Sequence, residues 1–206
     1  MFAYTRTDNG INKNYYRTIV YENSAISLGE EHLIDSREGT DPVIFPNNHW
    51  IAYYRKGEAH SGQMMIYDTK TGEYFVWGEA NGCTHATVSY DGLTLLCQVD
   101  NTFYMRSYDA DVGAWSSFRS VVPSLSEDYD FASSCDLYGF GHPEFCGDTS
   151  HLLVTVDCMR NGQHAAAKLV LMNLDGSLDT DLSGQIDSFL GSENSDSFTG
   201  VCSQVS

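Results

Sequence analysis

Residues 41-DPVIFPNNHWIAYYR-55 form a short apolar run, a polar turn and a second apolar run, the pattern of a β-hairpin. The same order returns in 85-HATVSYDGLTLLCQV-99, where Asp91-Gly92 is a strong turn signal, and in 142-HPEFCGDTSHLLVTVD-157, where Gly147-Asp148 supplies the turn. Each copy is followed by a third run that ends in an Asp/Asn and Gly turn: 63-QMMIYDTKTG-72, 102-TFYMRSYDADVG-113 and 167-AKLVLMNLDG-176. A fourth run closes each unit: 73-EYFVWGE-79, 114-AWSSFRSVV-122 and the more polar 177-SLDTDLSGQIDSFL-190. Gly72 and Gly113 stand 41 residues apart and Gly113 and Gly176 stand 63 apart, the excess falling in a connection around 123–139.

Four short strands per unit of roughly 40 residues, with turns at fixed offsets, is the requirement of a β-propeller blade. A sandwich also uses many short strands but needs no four-strand motif repeated in one order. No apolar spacing of helical period extends beyond a turn. The expected fold is all-β, a propeller.

The phrases Asp41-Pro42-Val43-Ile44-Phe45-Pro46-Asn47-Asn48-His49-Trp50-Ile51-Ala52-Tyr53 and Ser89-Tyr90-Asp91-Gly92-Leu93-Thr94-Leu95 resemble the P-x-F-S-P-D-G-K-x-I-A-Y signature of TolB-like β-propellers, whose blades are WD40-like. Asn47-Asn48 stands in place of Asp-Gly, and 147-GDTS-150 reorders the turn. The resemblance covers most of the chain and implies a fold more than a function, because TolB-like blades serve translocation proteins, peptidase gating domains, lyases and binding modules.

In this frame 2-FAYTRTD-8, 15-YYRTIVYE-22 and 25-AISLGEEHLI-34 are the second to fourth strands of a first blade, and 199–206 offers an innermost strand. The expectation is a single domain over 1–206 with four blades, 199–206 plus 1–40, 41–82, 83–122 and 140–198, the C-terminal strand completing the first blade. The alternative is part of a larger propeller.

Eleven Lys and Arg against 28 Asp and Glu give a net charge of −17. That disfavours nucleic acid, whose binding requires counterion release by cationic side chains, and anionic membranes as well. No apolar run approaches the 18 or so residues of a spanning helix, so membrane insertion is not expected. Six cysteines (Cys83, Cys97, Cys135, Cys146, Cys158 and Cys202) without a C-x-x-C pair are disulfide candidates and indicate an oxidising place, extracellular, cell-surface or periplasmic.

Placing Phe45, Ser89, Cys146 and Ser206 in one register puts Asp41, His85, His142 and Cys202 at equivalent positions on innermost strands, a ring of metal-ligand types. Two imidazoles, a carboxylate and a thiolate would suit zinc or copper. TolB-like blades also carry a polar residue there for structural hydrogen bonding, and a disulfide at Cys202 would remove the thiolate. His49 and His151 are expected in hairpin turns, and His60 and His164 in two long loops, 56-KGEAHSG-62 and 160-RNGQHAA-166. The acidic stretches 107-SYDADVG-113 and 173-NLDGSLDTDLSG-184 are candidate calcium loops, yet turn chemistry accounts for Asp109, Asp111 and Asp175 without a metal.

No G-x-S-x-G, H-E-x-x-H, G-x-G-x-x-G or P-loop occurs, which favours a non-catalytic role. The expected function is a secreted or surface-exposed module that binds protein or glycan through rim loops or assembles with itself into an oligomer or filament. The alternative is a metal-binding protein or metal-dependent enzyme with its site on the propeller axis.

Overall fold

A computed structural model describes residues 1–56, 62–78, 82–125 and 135–183. Every named element in it is a strand, β1 to β16. Two compact units divide the chain, Met1–Val88 and Ser89–Ser206.

The first unit holds β1 (Phe2–Asp8), β2 (Ile11–Glu22) and β3 (Ala25–Leu33) in one antiparallel sheet ordered β1-β2-β3. A second sheet is formed by β4 (Gly39–Ile44), β5 (Trp50–Arg55), β6 (Gln63–Asp68) and β7 (Glu73–Gly78) in sequence order. Tyr16 and Ile34 pack with Ile51, Tyr53 and Met65 in one core, with Ala3, Ile44 and Tyr67 at its margin. Burying each such side chain is worth about 1.5–3 kcal/mol.

The division falls just after β8 (Thr84–Val88), within the third sheet, whose order is β11-β10-β9-β8. The second unit continues with β9 (Thr94–Val99), β10 (Thr102–Asp109), β11 (Ala114–Trp115) and β12 (Arg119–Val121), and its fourth sheet is β13 (Leu137–Phe145), β14 (His151–Arg160), β15 (Gln163–Asn173) and β16 (Leu178–Asp181) in order. Leu96, Phe103, Met105 and Val121 join Phe145, Leu152, Val154, Val156, Val170 and Met172 in its core.

Four antiparallel sheets built from sequence neighbours confirm the repeat. The turns follow from residues that tolerate positive φ. Asn9-Gly10 (φ 53° and 80°) joins β1 to β2, and Asn161-Gly162 (φ 52° and 73°) joins β14 to β15, both of the two-residue type that matches strand twist. In the longer turns a side chain substitutes for the missing backbone partner. Asn47 Oδ1 accepts from the amides of His49 and Trp50, Asp91 Oδ1 from Leu93, and Asp148 Oδ1 from Ser150 and His151, at 2.8–3.0 Å.

Three local expectations change. The run 114–122 is not one strand: β11 pairs with Tyr108 and Asp109, and β12 with Phe103 to Met105. The Arg106 guanidinium spans the break, donating to Ser116 O at 2.6 Å and Trp115 O at 3.3 Å while lying 5.0 Å from the Phe118 ring. Residues 160–166 are not a long loop, because the tight Asn161-Gly162 turn lets β15 begin at Gln163 and pairs the His164 backbone with Met159. The fourth sheet begins at Leu137, inside the stretch 123–139 assigned to a connection. The loop expected around His60, the end of the run 177–190 and the closing strand expected at 199–206 lie outside the described residues.

Candidate interaction face

Asp41, His85 and His142 are equivalent in backbone conformation, with φ of 54°, 49° and 51°, and each side chain is exposed. At Asp41-Pro42 the β4–β5 register slips between Thr40 and Val43, and at His142-Pro143 the β13–β14 register slips between Gly141 and Glu144. These are β-bulges, where a Pro that cannot donate is accommodated and one residue turns left-handed. Asp and His are among the non-Gly types enriched in that conformation. The column therefore has a backbone role that the sequence reading did not supply. In the second unit the bulge is held from the side: Gln98 donates to Phe140 O at 2.6 Å and accepts from the His142 amide at 3.1 Å.

Cys202, the fourth member of the column, lies outside the described residues. Among the described residues no group of three or more His, Cys, Asp or Glu is placed to hold a metal ion. The acidic turns are self-satisfied by main chain: Asp109 Oδ1 accepts from Asp111 and Val112, and Asp175 Oδ1 from Ser177.

Cys135 and Cys158 form a disulfide with Cα atoms 5.4 Å apart, tying the entry of β13 to β14. Cys83, Cys97 and Cys146 are disulfide-bonded as well. This chemistry fits an oxidising compartment.

The turn histidines bind carboxylates. His151 Nδ1 lies 2.7 Å from Asp148 Oδ2, which raises the imidazole pKa and helps bring Asp148 to about 2 against the opposing effect of desolvation. His49 Nδ1 lies 3.4 Å from Asp68 Oδ1, and Trp50 Nε1 donates to the same carboxylate at 3.2 Å. The first closes the β13–β14 hairpin, and the second ties the β4–β5 turn to the end of β6.

A buried charge network ties the connection after β3 to β5 of the second sheet. Asp35 and Arg55 are each 7% exposed, Tyr53 fully buried. Asp35 Oδ2 accepts from Arg55 Nε at 2.6 Å and Tyr53 Oη at 2.9 Å, while Oδ1 accepts from the Arg37 amide at 3.1 Å. Burial alone would raise the Asp35 pKa, but these donors outweigh it and the net shift is downward.

The surface that stands out is one side of the first sheet. The register pairs Phe2 with Arg17, Tyr4 with Tyr15, Arg6 with Lys13 and Asp8 with Ile11, then Tyr15 with Leu33, Arg17 with Glu31, Ile19 with Leu28 and Tyr21 with Ile26. Directly opposed residues of an antiparallel pair share a face, so all of these lie together. The other face, with Ala3 and Tyr16, is the one packed into the core. Phe2, Ile11, Ile19, Tyr21, Ile26, Leu28 and Leu33 are each more than 40% exposed, Tyr21 reaching 70% and Ile26 75%. They are all the exposed large hydrophobic residues that the first sheet has, and every one is on the open face.

Between them runs an ion network. Arg6 lies 4.1 Å from the Tyr15 ring and donates to Asp8 at 2.7 Å and Glu31 at 2.6 Å; Arg17 reaches Glu31 at 3.2 Å. The Tyr4 hydroxyl donates to Glu31 and the Tyr15 hydroxyl to Asp8. Asp8 is brought to a pKa of about 2 mainly by Arg6, then Tyr15, and Glu31 to about 2 mainly by Tyr4, then Arg6.

Apolar residues on both alternations of 11-INKNYYRTIVYE-22 were the sequence signal for this face, and nothing in a strand's period says which side has a partner.

No protein-family model matches the sequence, and no curated protein matches it. Solved structures do. A putative TolB from Agrobacterium tumefaciens aligns at 13% identity and a TM-score of 0.60, over 87% of this chain and 60% of that one. A luciferin-regenerating enzyme aligns at 11% identity and a TM-score of 0.48, over 85% and 58%. The β-propeller domain of the trilobed protease from Pyrococcus furiosus aligns at 13% identity and a TM-score of 0.46, over 90% and 68%. The fold is a TolB-like β-propeller fold, and the chain spans about 60% of the length of the TolB structure.

Proposed function

We propose that this chain is a non-catalytic binding module of an oxidising compartment, secreted, cell-surface or periplasmic, and that it docks a protein through the open face of its first sheet. The observation that carries the reading is the concentration of Phe2, Ile11, Ile19, Tyr21, Ile26, Leu28 and Leu33 on one sheet face. Exposed apolar side chains gathered on one face are costly to leave in water and mark interaction sites. Apolar breadth favours protein over glycan, and a flat strand face over rim loops, as the means of recognition. The disulfides support the compartment.

The test is binding of the purified chain, beside its Ile26→Glu variant, to an array of extracytoplasmic proteins and glycans that includes the chain itself. The expected result is a protein partner bound by the wild type and lost by the variant. No partner, or one bound equally by both, overturns the reading.

A further inference from the structure

We infer that the open face of the first sheet docks a second copy of this chain, sheet face against sheet face. The inference rests on the docking role proposed above and names the partner.

The first argument is how this sheet already buries its other side. Tyr16 packs there, with Ile34 after β3, against Ile51, Tyr53 and Met65 of the neighbouring sheet, so the occupied face is covered by a β-sheet rather than by a loop. The open face offers the same kind of surface, aromatic and branched side chains on regular strands. Beyond Arg17 the pairs Ile19–Leu28 and Tyr21–Ile26 form an apolar end free of charged side chains between them. A two-fold axis through that end sets apolar rows on apolar rows, as an isologous interface requires.

The second argument is charge. A chain at −17 repels its own copy over most of its surface. On the open face Arg6, Lys13 and Arg17 stand against Asp8 and Glu31, with Glu30 in the adjoining bulge, so the local charge is near zero. Three of the eleven basic residues of the chain are gathered there. Two copies can meet across this face without the repulsion they meet elsewhere, whereas a strongly cationic partner would find little to attract it at this face.

The third is extent. The chain spans about 60% of the length of the TolB structure it resembles, so a part of that length has no counterpart in these residues. A second copy is a source of sheets with matching faces.

Sedimentation velocity over roughly 1–200 µM tests the inference, bracketing the micromolar Kd of a modest interface. The wild type should sediment as a dimer at the upper end. Ile26→Glu and Leu28→Glu, both at exposed positions, should each raise the Kd about 100-fold or more, with Ile26→Ser as a milder variant and circular dichroism as the check on folding. Val112→Glu, an exposed turn change in the second unit, should leave the dimer unchanged. Raising NaCl from about 0.05 to about 0.5 M should strengthen the dimer, because screening weakens the mutual repulsion of two acidic chains.

A monomer at every concentration and salt, as expected if the face is covered instead by further residues of a longer polypeptide, overturns the inference. So does a dimer that the folded Ile26→Glu and Leu28→Glu variants retain. A monomer that still binds an array partner through Ile26 overturns the second copy alone and leaves the docking role standing; loss of both readouts overturns both.

Discussion

Arg6 on β1 reaches across β2 to donate to Glu31 on β3, 2.6 Å from Nη1 to Oε1, with the Tyr15 ring lying against its guanidinium. One side chain thus ties all three strands of the first sheet together. Its charge also sets the behaviour of the face in acid.

Asp8 and Glu31 fall from ordinary values of 3.8 and 4.5 to about 2, so the unfolded chain binds protons more readily than the folded one between those values. Stability from these groups is complete above about pH 4.5 and is lost as the pH falls toward 2. Arg6→Gln should flatten the acid limb of a Tm profile between pH 2 and 6, measured by calorimetry. An unchanged slope would show that the network contributes nothing.

Asp41 and His142 should tolerate glycine and resist valine. Their left-handed φ values of 54° and 51° cost a non-glycine residue about 1 kcal/mol or more. Asp41→Gly should leave stability unchanged or raise it by up to about 1 kcal/mol, and Asp41→Val should lower it by about 1–2 kcal/mol in urea unfolding. A large loss with glycine would return a side-chain role to this column.

The Asp35–Arg55 pair should behave as a buried ion pair. Arg55→Met leaves the Asp35 carboxylate without its 2.6 Å donor and should destabilise by about 3–5 kcal/mol. Adding Asp35→Asn should restore part of that loss, a coupling read from a double-mutant cycle. Additive effects would mean that the two residues act independently.

The Cys135–Cys158 bridge closes a loop with a sequence separation of 23. Its removal as a Cys135→Ser, Cys158→Ser double variant should cost about 3 kcal/mol in the chain-entropy account, or about 10 °C in Tm. A change of a degree or less would indicate that β13 and β14 are held by their ladder alone.

The repeat was legible because its turn residues are dictated by backbone geometry. Gly72, Asp91-Gly92, Gly113, Gly147-Asp148 and Gly176 mark turns in the sequence and carry positive φ at Gly72, Gly92, Gly113, Gly147 and Gly176. The equivalence of Asp41, His85 and His142 was legible for the same reason, but ligand-type side chains do not reveal that the main chain selected them. The break between β11 and β12 was hidden because 114–122 carries no turn signal, and it shows only in the pairing of β11 with Tyr108 and Asp109 and of β12 with Phe103 to Met105. His164 was misplaced since a two-residue Asn-Gly turn and a long loop share the same residues. The open face was the least legible. Tyr15 and Tyr16 are neighbours of one type on opposite faces, and which of them meets another sheet depends on tertiary packing, not on strand period.

The most direct measurement is hydroxyl-radical footprinting of Tyr21 on the open face against Tyr90 in the β8–β9 turn, 70% and 55% exposed in the single chain. In the associated protein the account predicts Tyr21 shielded severalfold while Tyr90 reacts as before. Equal reactivity of both residues under the same conditions would contradict it.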